Sequence, residues 1–309
     1  MRFTVQYPIA NAAYDPRFLS GKGLIRFAKT AEQAGFHAIA FTDHPAPSDK
    51  WLRSGGHDSF DPLSALSFCA AVTNTIRLMS YVLVLPYRNP LLAAKQGATV
   101  DALSDGRLTL VLGAGYLRSE FAALGVGFTE RNALLDEGID VLKGIWTSDD
   151  FHYKGNHFTA LGQTAHPRPL QSPHPPLWFG GNSERALRRV AMHGQGWSPL
   201  IIPESISESV RTRSIGSATE LAIRIRQLRD LLAEQGRTLD EIDVQIDYAA
   251  GTAPNLPADR ILDSVSQFAE AGANWAVVTP RGERLEDTLA ELVRYGDTVI
   301  AKFKPQTPT

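Results

Sequence analysis

Cysteine is nearly absent from this sequence: Cys69 is the only one in 309 residues. A single thiol excludes an internal disulfide and any zinc site built from paired cysteines. Cys69 lies among Leu66, Phe68 and Ala70 in a stretch of helical character, whereas a reactive thiol requires a polar, partly exposed setting. We therefore expect Cys69 to be a core residue.

Long apolar runs and an excess of one charge are also missing. No run reaches the roughly 18 residues that a transmembrane helix needs, and the first seven residues alternate like a strand without the apolar stretch of a signal peptide. Lys and Arg number 31 against 33 Asp and Glu, which gives a formal net charge of -2. This balance argues against nucleic acid or an anionic membrane as a partner. We expect a cytoplasmic protein that acts on a small molecule.

The motifs of several enzyme classes are missing as well. The sequence has no phosphate-binding P-loop, no His-Glu-x-x-His zinc motif and no Gly-x-Ser-x-Gly nucleophile elbow. Four histidines fall between residues 148 and 176, but their spacing matches no compact set of metal ligands. They are His152, His157, His166 and His174. We expect no metal site and no hydrolase chemistry of these types.

What the sequence does contain is a regular alternation of short apolar or β-branched runs with longer segments of helical period. This pattern is typical of parallel strands joined by crossover helices. Eight strands are predicted, at Phe3–Tyr7, Ala38–Thr42, Ile76–Leu85, Leu108–Leu112, Leu177–Phe179, Trp197–Ile202, Asp243–Tyr248 and Trp275–Thr279. Eight strands in 309 residues predict the α/β class and one (β/α)8 TIM barrel domain over residues 1–309.

Helix boundaries can be predicted from individual residues. Asp61-Pro62 is typical of an N-cap followed by proline at the first helical position, and Ser217 with Glu220 fits a capping box. Four glycines that follow helical stretches are predicted to be left-handed C-caps. They are Gly35, Gly194, Gly236 and Gly272.

Residues 148–176 interrupt the alternation between the fourth helix and the fifth strand. The run 151–159 alternates around Gly155, which predicts a hairpin. Five prolines follow between residues 167 and 176 and force an extended backbone. The segment is therefore predicted to be an insertion over one barrel face, not a separate domain.

The active site of such a barrel is built from the loops at the carboxyl ends of the strands. Asp43-His44 follows the second strand, where an imidazole can transfer a proton near neutral pH and a carboxylate can orient it. The alternative is that Asp43 caps a turn and His44 is an ordinary surface residue. Gly113-Ala114-Gly115 follows the fourth strand and lets a flat ring or a phosphate approach the backbone, although a lone Gly-x-Gly is a weak signal.

A phosphate site is predicted where the fifth strand leads into a helix through residues 179–182. Free backbone N–H groups and the helix dipole at such a terminus attract an anion, and Gly180-Gly181 lets it come close. Arg185, Arg188 and Arg189 follow and add positive charge. The alternative is an ordinary tight turn, capped by Asn182 or Ser183, with the arginines in solvent.

Taken in order, these segments resemble the bacterial-luciferase-like superfamily of flavin and deazaflavin oxidoreductases, and most closely its branch that uses the 8-hydroxy-5-deazaflavin coenzyme F420. The match spans nearly the whole chain. The runs that carry it are 76–78, 82–90, 103–108, 113–117 and 178–181. The resemblance implies a cofactor ring across the barrel mouth, with its phosphate on the Gly180-Gly181 turn.

The resemblance also implies a non-proline cis peptide bond at Tyr81-Val82 behind the ring, a hydrogen bond from the deazaflavin to Asp43, and proton transfer by His44. The implied reaction is hydride transfer between F420 and a small alcohol, carbonyl or activated double bond. The cofactor contacts implied are Asp43, Ser80, Tyr81, Val82, Gly113, Ala114, Gly115, Tyr116, Ser119, Phe179, Gly180, Gly181 and Asn182. The expected partners are a second copy of the chain and a reductase that regenerates the reduced cofactor.

Three positions depart from the family pattern. Tyr116 stands where some deazaflavin sugar dehydrogenases have an acidic residue, so we expect Glu120, one helical turn further on, to be the nearest catalytic acid. Tyr81 replaces a small residue of many relatives and narrows the pocket or shifts the ring. Gln195 stands where an aspartate is common, which concerns structure more than chemistry.

Two alternatives stay open at this point. One is an FMN-dependent monooxygenase on the same fold, supplied with reduced flavin by a partner and using oxygen. The other is a flavin- or deazaflavin-binding protein without catalytic activity. Substrate specificity is predicted to lie in the insertion and in the loops after the second and sixth strands, with Trp51, His57 and Phe60 as pocket residues.

Overall fold

The barrel is seen in a computed structural model that describes residues 1–11, 13–207, 211–247 and 256–303. The strands are β1 Arg2–Gln6, β2 Ala38–Phe41, β3 Arg77–Ser80, β4 Leu83–Val84, β5 Leu108–Gly113, β6 Phe151–Lys154, β7 Thr159–Gln163, β8 Leu177–Gly180, β9 Gly196–Ser198, β10 Asp243–Asp247 and β11 Trp275–Val278. The parallel strands of the barrel follow one another in space as β3-β2-β1-β11-β10-β9-β8-β5, and pairing of β3 with β5 closes the ring. The prediction of a (β/α)8 barrel is confirmed.

Helices surround this ring. They are α1 Gly21–Gln33, α2 Asp49–Arg53, α3 Pro62–Ala70, α4 Pro90–Leu103, α5 Arg118–Ala123, α6 Arg131–Thr147, α7 Glu184–His193, α8 Glu204–Ser207, α9 Ala218–Glu234, α10 Ala258–Glu270 and α11 Leu285–Thr298. Within the described ranges, no helix has both the length and the apolar character needed to cross a membrane.

The alternation of side chains along the strands divides the core in two. Outward residues such as Phe3, Val5 and Ile39 pack against the helices, while inward residues such as Ala40 and Met79 fill the barrel. Cys69 is completely buried in the outer layer, and burial raises the pKa of its thiol to about 12. Its predicted role as a core residue is confirmed.

Two predicted strands are shorter in the structure. The run 76–85 is split into β3 and β4 by Tyr81-Val82, whose peptide bond is cis, as the family resemblance implied. The sixth strand ends at Ser198, and beyond it only isolated bridges form at Leu200 and Ile202. The predicted end of the seventh strand, Tyr248, lies outside the described residues.

The helix ends largely follow the predictions. Asp61 accepts a hydrogen bond from the backbone of Ser64, and Ser217 accepts one from Glu220. The Glu220 carboxylate completes the box by accepting from the N–H of residue 216 rather than from the cap itself.

Three of the four predicted glycine caps, at residues 35, 236 and 272, have positive φ. Gly194 was wrongly predicted, because its backbone is extended, at φ -87° and ψ 152°. A Cβ atom there would lie 3.1 Å from the ring of Phe179, so close packing explains this glycine.

The insertion carries the predicted hairpin, with β6 and β7 paired antiparallel. His152 and His166 pair with neighbouring aspartates, and Nδ1 of His174 donates to the carbonyl of Pro175. In the ranges that the structure describes, no group of three or more potential ligands is placed to hold a metal ion.

Candidate active site

A cavity of about 530 Å³ opens at the carboxyl ends of the barrel strands. Most of the residues predicted from the sequence to form the site line it together. They are Asp43, His44, Tyr81, Val82, Gly113, Ala114, Gly115, Tyr116, Gly180 and Gly181. The loops after β2, β3, β5 and β8 therefore converge on one space, as expected for an active site of this fold.

His44 is held at the cavity wall by a buried carboxylate. Its Nδ1 lies 3.1 Å from Glu120 Oε2, and the two side chains are 10% and 0% exposed. Because a carboxylate only accepts, Nδ1 carries the proton, and Nε2 of the neutral ring is left with a free lone pair. No described residue is hydrogen-bonded to Nε2. His44 thus lines the cavity with one ring nitrogen that has no partner among the described residues.

Glu120 is surrounded by hydrogen-bond donors of the protein itself. Its carboxylate also accepts from the hydroxyl of Tyr87, at 3.0 Å, and from the backbone N–H of Ala46, at 3.2 Å. Glu120 is not among the residues that line the cavity. Its hydrogen bonds are those of a group that positions His44, so its catalytic role stays a prediction in which it acts through His44.

Asp43 is also strongly engaged by the protein. Both carboxylate oxygens bind the guanidinium of Arg88, at 2.5 and 2.7 Å, and one accepts from the backbone N–H of Val84 at 2.8 Å. The Asp43 side chain is only 1% exposed. Through these bonds Asp43 links the end of β2 to β4 and to Arg88, which holds the loop that carries His44 in place.

Aromatic and imidazole rings surround His44. The ring of Trp51 is 4.6 Å away between centroids, His57 is 5.1 Å away and Tyr116 is 6.0 Å away. Burial raises the pKa of Tyr116 to about 12, so its phenol stays protonated. Phe60, predicted to be a pocket residue, instead stacks on the buried Tyr7 at 5.8 Å.

Gly113 at the end of β5 and Gly180 at the end of β8 make room for the side chain of Val82. A Cβ atom on Gly113 would lie 2.7 Å from Val82 Cγ1, and one on Gly180 would lie 3.1 Å from Val82 Cγ2. The absence of a Cβ was predicted to let a ligand approach the backbone. The structure instead fills both spaces with one valine side chain, which forms an apolar surface on this side of the cavity.

Near the Gly180-Gly181 turn, the free backbone N–H groups belong to residues a little further along the sequence than predicted. The N–H of Gly181 donates to the carbonyl of Ser198, and that of Asn182 donates to the Thr212 hydroxyl. The unpaired N–H groups at the start of an α-helix are those of its first turn, which here begins after the cap Ser183. An anion would therefore meet residues 183–185 and their dipole.

Four arginines line the cavity beside this helix. They are Arg131, Arg185, Arg189 and Arg211. Of these only Arg189 has a carboxylate partner, Asp136, in the described part of the chain. Burial and the other guanidiniums lower the pKa of Arg131. Such a group of like charges favours an anionic ligand.

Some predicted contacts lie outside the cavity. Ser80 bonds to the backbone of Val111, Phe179 packs in the outer core, and Ser119 is exposed on α5. The amide of Asn182 is buried and binds the backbone of Leu200 and Arg213. Arg188 points away and pairs with its helical neighbour Glu184.

Sequence reasoning missed several cavity residues. Arg131 begins α6, Arg211 follows α8, and Gln6 and Asp247 are the last residues of β1 and β10. The position of Gln6 and Asp247 at strand ends was the available signal, because inward residues there face the site. The two arginines belong to no motif.

Comparisons with known proteins identify the family and the fold. The model of the luciferase-like monooxygenase family matches residues 1–255. A relative, the FMNH(2)-dependent dimethylsulfone monooxygenase of Pseudomonas putida, is 28% identical over 287 residues, which cover 88% of this chain and 73% of that protein.

Two solved structures have the same fold. The monooxygenase RslO1 of Streptomyces bottropensis has a TM-score of 0.82 at 18% identity, with 98% of this chain and 100% of that one covered. The coenzyme F420-dependent tetrahydromethanopterin reductase of Methanopyrus kandleri has a TM-score of 0.74 at 17% identity, with 98% and 99% covered. With a family match over most of its length and this barrel around its site, the chain belongs to the luciferase-like monooxygenase family.

Proposed function

We propose that this protein is an F420-dependent oxidoreductase that transfers a hydride between the cofactor and a small organic substrate. One observation carries the proposal: a single cavity is lined both by His44, whose ring Glu120 holds, and by the arginine-bearing N-terminus of α7. A proton-transferring group and an anion site in one cavity suit a long anionic redox cofactor with a substrate beside its ring.

The chain's own residues account for the proton in this reaction. F420, when bound, supplies a ring carbon that accepts or donates a hydride. As an alcohol is oxidised, His44 Nε2 takes the hydroxyl proton, and the Glu120 carboxylate stabilises the resulting imidazolium. In the reverse direction the same imidazolium returns the proton to the carbonyl oxygen. The aromatic groups around His44 exclude water from this step.

The arginines support F420 over FMN. F420 continues beyond its phosphate into a tail of several carboxylates, whereas FMN ends in one phosphate. Three of the four lining arginines have no carboxylate partner among the described residues, which is more positive charge than one phosphate requires.

An FMN-dependent monooxygenase is the second candidate. It is favoured by the 28% identity to a dimethylsulfone monooxygenase whose name specifies FMNH(2). In either case a separate reductase would regenerate the reduced cofactor, and we propose that the chain forms a homodimer.

Fluorescence titration of the purified protein with F420 and with FMN tests the assignment. We expect F420 to bind at least about tenfold more tightly, and Arg131→Gln or Arg211→Gln to weaken F420 binding by about tenfold, because each removes a charge-assisted contact. Arg188→Gln is the control, since Arg188 pairs with Glu184 away from the cavity. Tight FMN binding without affinity for F420 would overturn the choice of cofactor.

A further inference from the structure

The order of strands around the barrel divides the cavity wall into two arcs. One arc consists of the adjacent ends of β3, β5 and β8, where Val82 fills the space beside two glycines. The other consists of the ends of β9, β10, β11 and β1, with Leu200, Asp247 and Gln6 facing the cavity. His44 follows β2, which joins the two arcs.

The first arc suits the cofactor. It is apolar at Val82 and continues through Gly180 to the helix N-terminus and its arginines. If the cofactor ring packs against Val82 and the cofactor phosphate lies beside Ser183, the second arc stays accessible to a substrate. A substrate that reaches His44 therefore has the second arc as its opposite wall.

Asp247 gives this wall an unusual polar group. Its side chain is partly accessible from the cavity, and in the described part of the chain no cation lies within salt-bridge distance. Burial raises the pKa of Asp247, and the neighbouring Tyr81 lowers it less. In either protonation state the carboxyl group can accept a hydrogen bond from a ligand.

Tyr81 lies beneath this carboxyl group. The hydroxyl of Tyr81 is buried and has no hydrogen-bond partner of good geometry among the described residues. Its electrostatic neighbours are Asp247 and Ser198. Tyr81 is thus a polar neighbour of Asp247 that carries no positive charge, and Asp247 itself lines the cavity.

Gln6 adds a donor on the same wall. Its Oε1 accepts from the hydroxyl of Thr279 at 2.8 Å, which leaves the amide Nε2 as the free end. No described residue accepts from this nitrogen. Gln6 and Asp247 thus present hydrogen-bonding groups from strands β1 and β10, which are separated only by β11.

We propose that Gln6 and Asp247 bind a second oxygen-bearing group of the substrate, so that the protein acts on a small compound with two oxygen functions, such as a vicinal diol or a hydroxy ketone. One oxygen lies at His44 and the other at this pair. The inference rests on the proposed function, because it takes the substrate to be the molecule that fills the second arc.

Calorimetry with two matched probes tests the proposal without turnover. The protein is loaded with whichever of F420 or FMN it binds, and cyclohexanol is compared with cis-cyclohexane-1,2-diol. We expect the diol to bind about three- to tenfold more tightly, the effect of one or two net hydrogen bonds. Asp247→Leu and Gln6→Leu are each expected to reduce or remove the difference, whereas Asp247→Asn retains most of it.

Asp243→Asn is the matched control, because Asp243 begins the same strand at the opposite end of the barrel. It should leave the diol preference unchanged. Equal binding of the two probes, no binding of either, or a preference that survives both leucine substitutions would overturn the proposal. A failed cofactor titration would instead contradict the proposed function, so the two failures are distinguishable.

Discussion

At the scale of single residues, the proposed chemistry depends on the contact between Glu120 and His44. The carboxylate is fully buried and fixes the proton on His44 Nδ1 through a 3.1 Å hydrogen bond. An amide at position 120 can present its NH₂ group instead and favour the wrong tautomer. We expect Glu120→Gln to lower kcat by roughly 10- to 1,000-fold while cofactor affinity changes little.

Steady-state kinetics and a cofactor titration on the same preparation separate these effects. Glu130→Gln, at an exposed carboxylate before α6, is the control and should keep the full rate. A loss of cofactor affinity with unchanged kcat would show that Glu120 supports binding instead of proton transfer.

The sequence predicted the residues of this site unevenly. Asp43 and His44 stand together after a strand, so their place at the cavity could be inferred from position alone. The role of Glu120 could not, because the approach of α5 to the β2 loop is a tertiary contact. Arg131, Arg211 and Asp247 come from separate elements and have no sequence motif in common.

At the scale of elements, Val82 packs between neighbouring strands. It lies in the break between β3 and β4 and fills the space beside Gly113 on β5 and Gly180 on β8. A methyl group on Gly113 would lie 2.7 Å from Val82 Cγ1, so one of them must move. We expect Gly113→Ala to lower the free energy of unfolding by about 1–3 kcal/mol and to weaken cofactor binding.

Chemical denaturation measures the first effect. The double variant Gly113→Ala with Val82→Ala should recover part of the lost stability, because the clashing methyl group is gone. Gly216→Ala is the control, since its Cβ would meet only a flexible carboxylate at 3.7 Å. If Gly113→Ala is as stable as the parent protein, Val82 does not depend on that space.

The elements themselves were largely predictable, and the exceptions have physical causes. The run 81–85 has no polar or turn-forming residue after Tyr81, so nothing in its pattern marks the point where β3, paired with β2 and β5, gives way to β4, paired with β5 alone. Gly194 follows a helix like the other caps, yet a Cβ atom there would lie 3.0 Å from Val190 Cα and 3.1 Å from the ring of Phe179, and the second contact is between distant residues.

At the scale of the whole molecule, buried histidines link stability to pH. Burial lowers the pKa of His37, His57, His174 and His193 below the ordinary value of about 6.5. Below pH 6.5 the unfolded chain therefore binds more protons than the folded one, and the free energy of unfolding falls as the pH falls. We expect the urea midpoint to decrease between pH 7.5 and pH 5.5.

His174→Gln should make this decrease shallower, because it removes one of the buried groups. His152→Gln should not, since His152 is exposed in the hairpin. Carboxylates whose pKa is lowered, such as Glu241, stay ionised over this range and lose their contribution only at lower pH. A midpoint that is constant or rises toward pH 5.5 would contradict this account.

The arginines at the cavity rim also affect how a ligand arrives. The chain has a formal net charge of -2, so at long range it weakly repels anions. Four arginines nevertheless line the cavity, and three of them have no carboxylate partner among the described residues. An approaching anionic molecule is therefore turned so that its charged tail leads and its ring follows. The association rate of an anionic cofactor would therefore fall as ionic strength rises, whereas the packing of its ring against Val82 would not depend on salt.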